Sequence, residues 1–357
     1  MCLDDESPAT PGDRYTQFLL NGQNRPFGNR WVDKTLQIAV TANGLSAEIY
    51  EHSKLDGLDA RGLHVHILHA LLTQESESMT NGSSSTPHSI TYPIDKCTWN
   101  QTPGILQRIE HVWAQCRSYG PLDYQILDAE NLGLATLRRH RSPPNATAHL
   151  TVLLALYLVD GDIRPAWEKV SLGTFARGRV EWVQTVSPAT RAFIEAVAPT
   201  NNTEAAHSSK GARKLLNDAT AAHARNLTTA SRGHGAVGAL YALRGIAQQQ
   251  QQQLPALFYT NAWNKTCRGG PEQDVKIGFM RFLSDDDVDN AADHDISHEI
   301  HWGEAGFLVK GERGVYVHCN VLEKHTRFAV SGRPAYVGKV REMLKRAAEI
   351  ISTLIES

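Results

Sequence analysis

Long apolar runs are missing from this sequence: nowhere do about 18 apolar residues follow one another, so no membrane-spanning helix is expected. A dominant charge is missing too. With 36 Lys and Arg against 38 Asp and Glu, the formal net charge of −2 gives no field to attract a nucleic-acid backbone. Cysteine is sparse. Cys2, Cys97, Cys116, Cys267 and Cys319 show no CxxC spacing, and their odd number argues against a disulfide framework, so a reducing, cytoplasmic setting is expected. The opening MCLDDESPATPGDR is acidic and polar where a secretion signal would be basic and then apolar. No HExxH spacing or cysteine pair is present. His294, His298, Glu299 and His301, beside Asp285 to Asp287, read as a solvated loop, and no metal is expected. Gly233, Gly235 and Gly238 lack the strand before and the Lys-Ser/Thr after that a phosphate loop needs.

What remains is an ordinary globular composition, 41% hydrophobic and 21% charged, in 357 residues, enough for one large or two modest domains with a real core. Residues 1–13, rich in Asp, Ser and Pro, read as a disordered leader. Leu36 to Val40 alternates in hydropathy, Asn43-Gly44 is a hairpin turn, and Ala47 to Tyr50 pairs back. Leu63, Ile67, Ala70 and Leu71 have helical spacing. The ESESMTNGSSSTPH run at 75–88 is a linker by composition and suggests a boundary near 98. Beyond it, Pro103 opens a helix that stops near Gly120, and Leu122 to Leu127 reads as a strand. Ser142-Pro143-Pro144 starts a strongly apolar helix whose stripe is core. The Gln248–Gln253 run and the acidic stretch at 285–295 lack apolar mass to pack. Two strand-like runs, Val315 to Val321 and Arg327 to Val330, and a long helix from Pro334 to Ile355 close the chain. Helices mixed with few, partly antiparallel strands indicate an α/β class.

The chemistry-bearing segment is Tyr50-Glu51-His52-Ser53-Lys54-Leu55-Asp56-Gly57. A histidine at a strand end titrates near neutrality and can accept a hydroxyl proton. Asp56, four residues on, suits bracing a backbone or an arginine rather than touching substrate. Such an HxxxDG string also occurs as plain turn chemistry. The residues before it carry more information. Asn29-Arg30-Trp31-Val32-Asp33-Lys34, then Leu36-Gln37, then a hairpin, then Tyr50-Glu51-His52 resembles, in order and spacing, the stretch leading to the catalytic histidine of the choline/carnitine acyltransferases. HxxxDG itself resembles the histidine motif of the wider thioester-dependent acyltransferases. Further blocks downstream resemble the family more weakly: Ser142-Pro143, Leu154 to Tyr157, Gly178-Arg179-Val180-Glu181, Gly233-His234-Gly235 and Leu254 to Phe258.

The resemblance implies a fold of chloramphenicol-acetyltransferase-like layered lobes, with a mixed sheet and flanking helices. The first lobe would be incomplete: residues 14–98 would be its remnant with the histidine motif and 99–357 the second lobe. It implies an acyltransferase that moves an acyl group from a thioester to a hydroxyl acceptor, with His52 as general base and Asp56 as its structural brace. The co-substrate would be acyl-CoA or a carrier-protein phosphopantetheine, with no permanently bound cofactor. Arg138, Arg139, Arg141 and Ser142 stand where the family binds coenzyme A phosphates; a solvated charged turn is the alternative reading. By the best match, the family's carnitine-carboxylate anchors (tyrosine, threonine, arginine) fall on Trp167, Val180 and Gly238, so carnitine is not the expected acceptor. The family's Ser-Thr-Ser oxyanion motif falls on Glu272-Gln273-Asp274, with Thr266 or Ser284 as possible substitutes. Expected partners are a hydroxyl compound and either a carrier protein or a chain supplying the missing lobe. The competing expectation is a catalytically impaired remnant serving as a binding or assembly module.

Overall fold

The computed structural model describes residues 1–9, 28–31, 33–51, 55, 59–60, 62–64, 66–67, 70, 99–118, 123–176, 178, 180–198, 210–261, 263, 275–279 and 312–357. These form two compact units, divided between residues 118 and 123.

In the first unit a three-stranded sheet runs β1 (Cys2–Asp4), β2 (Leu36–Thr41), β3 (Ser46–Tyr50). The expected hairpin forms, with Leu36 opposite Tyr50 and Val40 opposite Ser46. Gly44 supplies the turn at φ 81°, a conformation that a side chain at Cβ disfavours. Cys2–Asp4, which composition placed in a disordered leader, is instead a strand parallel to β2. The reason is a buried ion pair: Arg30 meets Asp4 through two contacts, Nη1–Oδ1 at 2.9 Å and Nη2–Oδ2 at 2.6 Å. Asn29 adds bonds to Asp4 Oδ1 (2.9 Å) and to the Leu3 carbonyl (2.8 Å). A strand of three residues has too little surface to dock alone, and the charge pair supplies the missing anchor. Helix α1 (Pro103–Ser118), begun by proline as expected, also belongs to this unit, although the Ser-rich run suggested a cut before it.

The second unit holds β4 (Asp123–Ala129), α2 (Leu134–Arg139), α3 (Pro144–Asp160), β5 (Ala166–Ser171), β6 (Val180–Gln184), α4 (Pro188–Val197), α5 (Lys210–Thr229), α6 (Val237–Gln249), β7 (Val275–Phe279), β8 (Val315–Val321), β9 (Thr326–Gly332) and α7 (Pro334–Glu356). Its six-stranded sheet has the order β4-β9-β8-β7-β5-β6 and is mixed. β8–β7 and β7–β5 are parallel; the other neighbours are antiparallel. This confirms a mixed α/β chain. β9 is buried along all seven residues, as a strand covered on both faces must be.

Helix α3 departs from the one-stripe expectation. Every residue from Ala146 to Leu156 is buried, so the helix is covered on all sides rather than on one face. It ends at Gly161, φ 72°, whose N–H returns to the Tyr157 carbonyl at 2.8 Å. α7 is amphipathic, and buries Val337, Val340, Leu344, Ala347, Ile351 and Leu354 against the same core.

At the end of α3 the chain fastens this helix to α7 electrostatically. Asp160 accepts from the Tyr336 hydroxyl at 2.7 Å and from Arg164 Nη1 at 3.2 Å, and its side chain is only 4% exposed. Burial, and then the bond to Asp160, push the Tyr336 hydroxyl well above its usual range. Asp160→Asn should therefore cost about 3 kcal/mol, roughly 6–12 °C in Tm, because it leaves a half-buried guanidinium without its counter-charge. Tyr336→Phe should cost about 1 kcal/mol. Thermal denaturation in which the tyrosine change was the more damaging would refute this ranking.

Candidate active site

The hairpin delivers the chain to the histidine motif. Tyr50, two residues before His52, is the last residue of β3, and its hydroxyl bonds to the Glu48 carboxylate on the same strand. Glu48 also meets His64 Nδ1 at 3.1 Å. Burial first, and then Glu48, raise the Tyr50 hydroxyl far above its ordinary value, so it stays protonated and donates to Glu48. Gln37 of the Leu-Gln pair accepts from the Trp31 backbone N–H at 2.7 Å. The residues that resemble a catalytic lead-in thus also do local work, tying β2 and β3 to the segments beside them. His52 and Asp56 themselves lie outside the described residues, as do Thr266, Glu272, Gln273, Asp274, Ser284 and the histidine-rich 294–301 stretch.

The basic turn is built by a Schellman end to α2. The Ser142 N–H reaches the Leu137 carbonyl at 2.9 Å and the Arg141 N–H the Arg138 carbonyl at 3.1 Å, which makes Arg141 the left-handed residue, φ 53°. Glycine normally takes that position. Arg138, Arg139 and Arg141 are all exposed, and Ser142 is buried beneath them. Cations here complement the carbonyl end of α2. Arg138 pairs with Glu323 at 3.8 Å, both more than half exposed, a contact of small energy. Arg213 of α5 holds the turn from behind, donating to the His140 carbonyl at 3.4 Å and the Leu354 carbonyl at 2.6 Å.

Trp167 and Val180 lie on the antiparallel β5–β6 ladder, Trp167 opposite Gln184 and Ser171 opposite Val180. Residues 167, 169 and 171 share one face by the two-residue period of a strand, so the structure brings Trp167 and Val180 to the same side. Trp167 is buried and Val180 is 36% exposed. Gly238 stands against the neighbouring residue of β6: its N–H donates to Glu181 Oε1 at 2.9 Å, and a Cβ there would lie 2.8 Å from Oε2. The amide is in the first turn of α6, so the buried Glu181 carboxylate sits at the positive end of that helix. Glu181 alternates to the face opposite Val180, which leaves the three positions divided between the two faces of one ladder.

Sequence reasoning missed the most charged place in the core. On the Glu181 side of β5, Glu168 meets His149 of α3 and His223 of α5, the three residues 3%, 1% and 5% exposed. His223 Nε2 is 3.0 Å from Glu168 Oε2 and His149 Nε2 3.4 Å from Oε1. Neither nitrogen is aligned for a hydrogen bond with its oxygen. Asn145 Nδ2 donates to Glu168 Oε1 at 3.0 Å. Burial by itself would raise the Glu168 carboxyl, but the two imidazoles outweigh it and hold the group well below the carboxylate range. His223 is pushed down, by burial first and by His149, against the pull of Glu168. The signal was present in the sequence as one histidine inside the apolar run Ala146 to Leu156, a place where only a partnered polar group is tolerated.

The sequence model of the choline/carnitine O-acyltransferase family matches residues 1–269. The chain belongs to that family. Among relatives of this choline/carnitine acyltransferase-family chain, Highly reducing polyketide synthase 17 of Metarhizium anisopliae is 60% identical over 362 residues, covering 100% of this chain and 12% of that protein. Human choline O-acetyltransferase is 26% identical over 262 residues, 72% of this chain and 34% of the enzyme. The mitochondrial carnitine O-acetyltransferase of Saccharomyces cerevisiae is 25% identical over 271 residues, 74% and 39%. The chain thus spans a minor part of each. Among solved structures, the wax ester synthase/diacylglycerol acyltransferase from Marinobacter aquaeolei VT8 is 13% identical with a TM-score of 0.37, over 99% of this chain and 78% of that one. A likeness that slight bears on neither fold nor function. No helix among the described residues is long and apolar enough to cross a membrane.

Arg141→Gly should raise stability by up to about 1 kcal/mol, since glycine meets the left-handed backbone without the Cβ penalty. A fall in Tm would show that the arginine side chain contributes more to the turn than its backbone costs.

Proposed function

We propose that this chain transfers an acyl group from a thioester to a hydroxyl, with His52 as general base. The observation that carries the reading is the family match across residues 1–269, which includes the ordered Asn29-Arg30, Leu36-Gln37, hairpin and Tyr50-Glu51-His52 series. The neutral imidazole takes the acceptor's hydroxyl proton as its oxygen attacks the thioester carbonyl. The C–S bond then breaks, and the leaving sulfur recovers the proton from the imidazolium, giving an ester and a free thiol. Asp56 braces the turn that follows.

The donor reading rests on the basic turn. Three exposed arginines on a rigid Schellman end, with forked donors suited to phosphate, fit the phosphates of coenzyme A or of a carrier-bound phosphopantetheine. The 60% identity to a protein named as a highly reducing polyketide synthase favours an acyl group presented on a carrier protein. The acceptor is a hydroxyl compound without a carboxylate. Trp167 and Val180 have no charged group with which to hold a carboxylate, and Gly238, on the other face of the ladder, has no side chain and a buried Glu181 carboxylate beside it where the family places a guanidinium.

Thiol release from acyl thioesters with a panel of alcohols tests this. His52→Ala should lower the acceptor-dependent rate by about 10²–10⁴. An unchanged rate would remove the enzymatic reading in favour of a binding or assembly module, and carnitine emerging as the best acceptor would overturn the assignment of Trp167, Val180 and Gly238. Arg138→Ala with Arg139→Ala should raise KM for acyl-CoA by about tenfold while leaving kcat and the KM for an acyl-pantetheine without nucleotide unchanged. Equal effects on both donors would refute phosphate binding by this turn.

A further inference from the structure

We infer that His149, Glu168 and His223 form a binding site for a divalent transition-metal ion, zinc by its chemistry. Three elements that are far apart in sequence converge there: α3 supplies one imidazole, α5 the other and β5 the carboxylate. Their three candidate ligand atoms lie within 4.8 Å of one another. Zinc bonds to nitrogen and oxygen are about 2.0–2.1 Å long, so two ligand atoms on one tetrahedral ion lie about 3.3 Å apart. The two carboxylate–imidazole separations, 3.0 Å to Oε2 and 3.4 Å to Oε1, are close to that spacing, and the set, spread over up to 4.8 Å, draws together when the ion binds.

Hydrogen bonding does not account for the arrangement as well. At 3.0 Å a charged imidazole–carboxylate pair should be in line, yet His223 Nε2, His149 Nε2 and Glu168 Oε2 are buried and make no aligned hydrogen bond among the described residues. A metal ion bonds along the lone pairs instead, and replaces three unmatched polar atoms by three coordinate bonds. Two neutral imidazoles and one carboxylate leave a divalent ion a net +1, which the surrounding polar groups can offset. Asn145 already donates to Glu168 Oε1, which fixes the carboxylate as a ligand's outer partner should, and its own Oδ1 is a further buried oxygen with no partner among the described residues. All three ligands are sealed from solvent, so the ion's role is to lock α3, α5 and β5 together and set the strand that carries Trp167 on its other face.

The test uses the full chain, stripped with a strong chelator and titrated with Zn²⁺, with bound metal measured by mass spectrometry and Tm by calorimetry. About one equivalent should bind, Tm should rise, and Co²⁺ in its place should give the intense visible absorption of a four-coordinate ion. His149→Gln, which keeps size and polarity, should weaken binding by about 100-fold or more, whereas His111→Gln, on the exposed surface of α1, should leave it unchanged. Failure of the wild-type chain to retain zinc, or a Co²⁺ spectrum of the hexa-aquo type, overturns the site whether or not the variant folds. So does equal binding by the His149→Gln chain, which would place the metal on surface histidines.

Discussion

Helix α3 can exist only where all of its sides are covered. From Ala146 to Leu156 it offers no face to water, so the mixed sheet must close on one side and α5 and α7 on the others. At roughly 25 cal/mol per Å² of apolar surface, this burial is the main force that assembles the second unit. It also dictates where polar chemistry falls. Asp160, at the helix end, must be met by Tyr336 and Arg164, and His149, in the middle, must be met inside the core. A helix with an exposed face would have turned that histidine to solvent, and no interior carboxylate would be needed.

Strand β5 then separates two kinds of environment one residue apart. Trp167 points to one side of the ladder and Glu168 to the other, because a strand alternates its side chains with a period of two. The Trp167 side holds two of the three positions matched to the family's acceptor anchors, Trp167 and Val180, together with Lys169, whose ammonium lies over the Trp182 ring. The other holds the His149–Glu168–His223 cluster and, farther along β6, Glu181 against the start of α6. A one-residue slip in register would carry Glu168 into the place of Trp167 and leave two buried histidines without their carboxylate.

The stretch resembling a catalytic lead-in shows how a motif can carry more than one constraint. Asn29 and Arg30 grip Asp4, and Gln37 caps the Trp31 amide. Such residues are selected by the geometry of a strand edge as well as by anything nearby. Composition alone misjudged Cys2–Asp4 for the same reason: a polar, acidic segment looks unable to pack until a buried arginine is there to receive it.

Local order was legible in the residues themselves. The β2–β3 hairpin with Asn43-Gly44, the proline-begun helices α1, α3 and α7, and strands β8 and β9 follow from periodicity and turn chemistry, which act over a few residues. So did the family, through the ordered motifs from Asn29 to His52. Only the tertiary structure decided that β7 lies between β5 and β8, that Asp4 meets Arg30, and that residues 149, 168 and 223 meet at one point. Those are contacts between segments tens of residues apart, set by which faces must be buried together, and no local spacing encodes them.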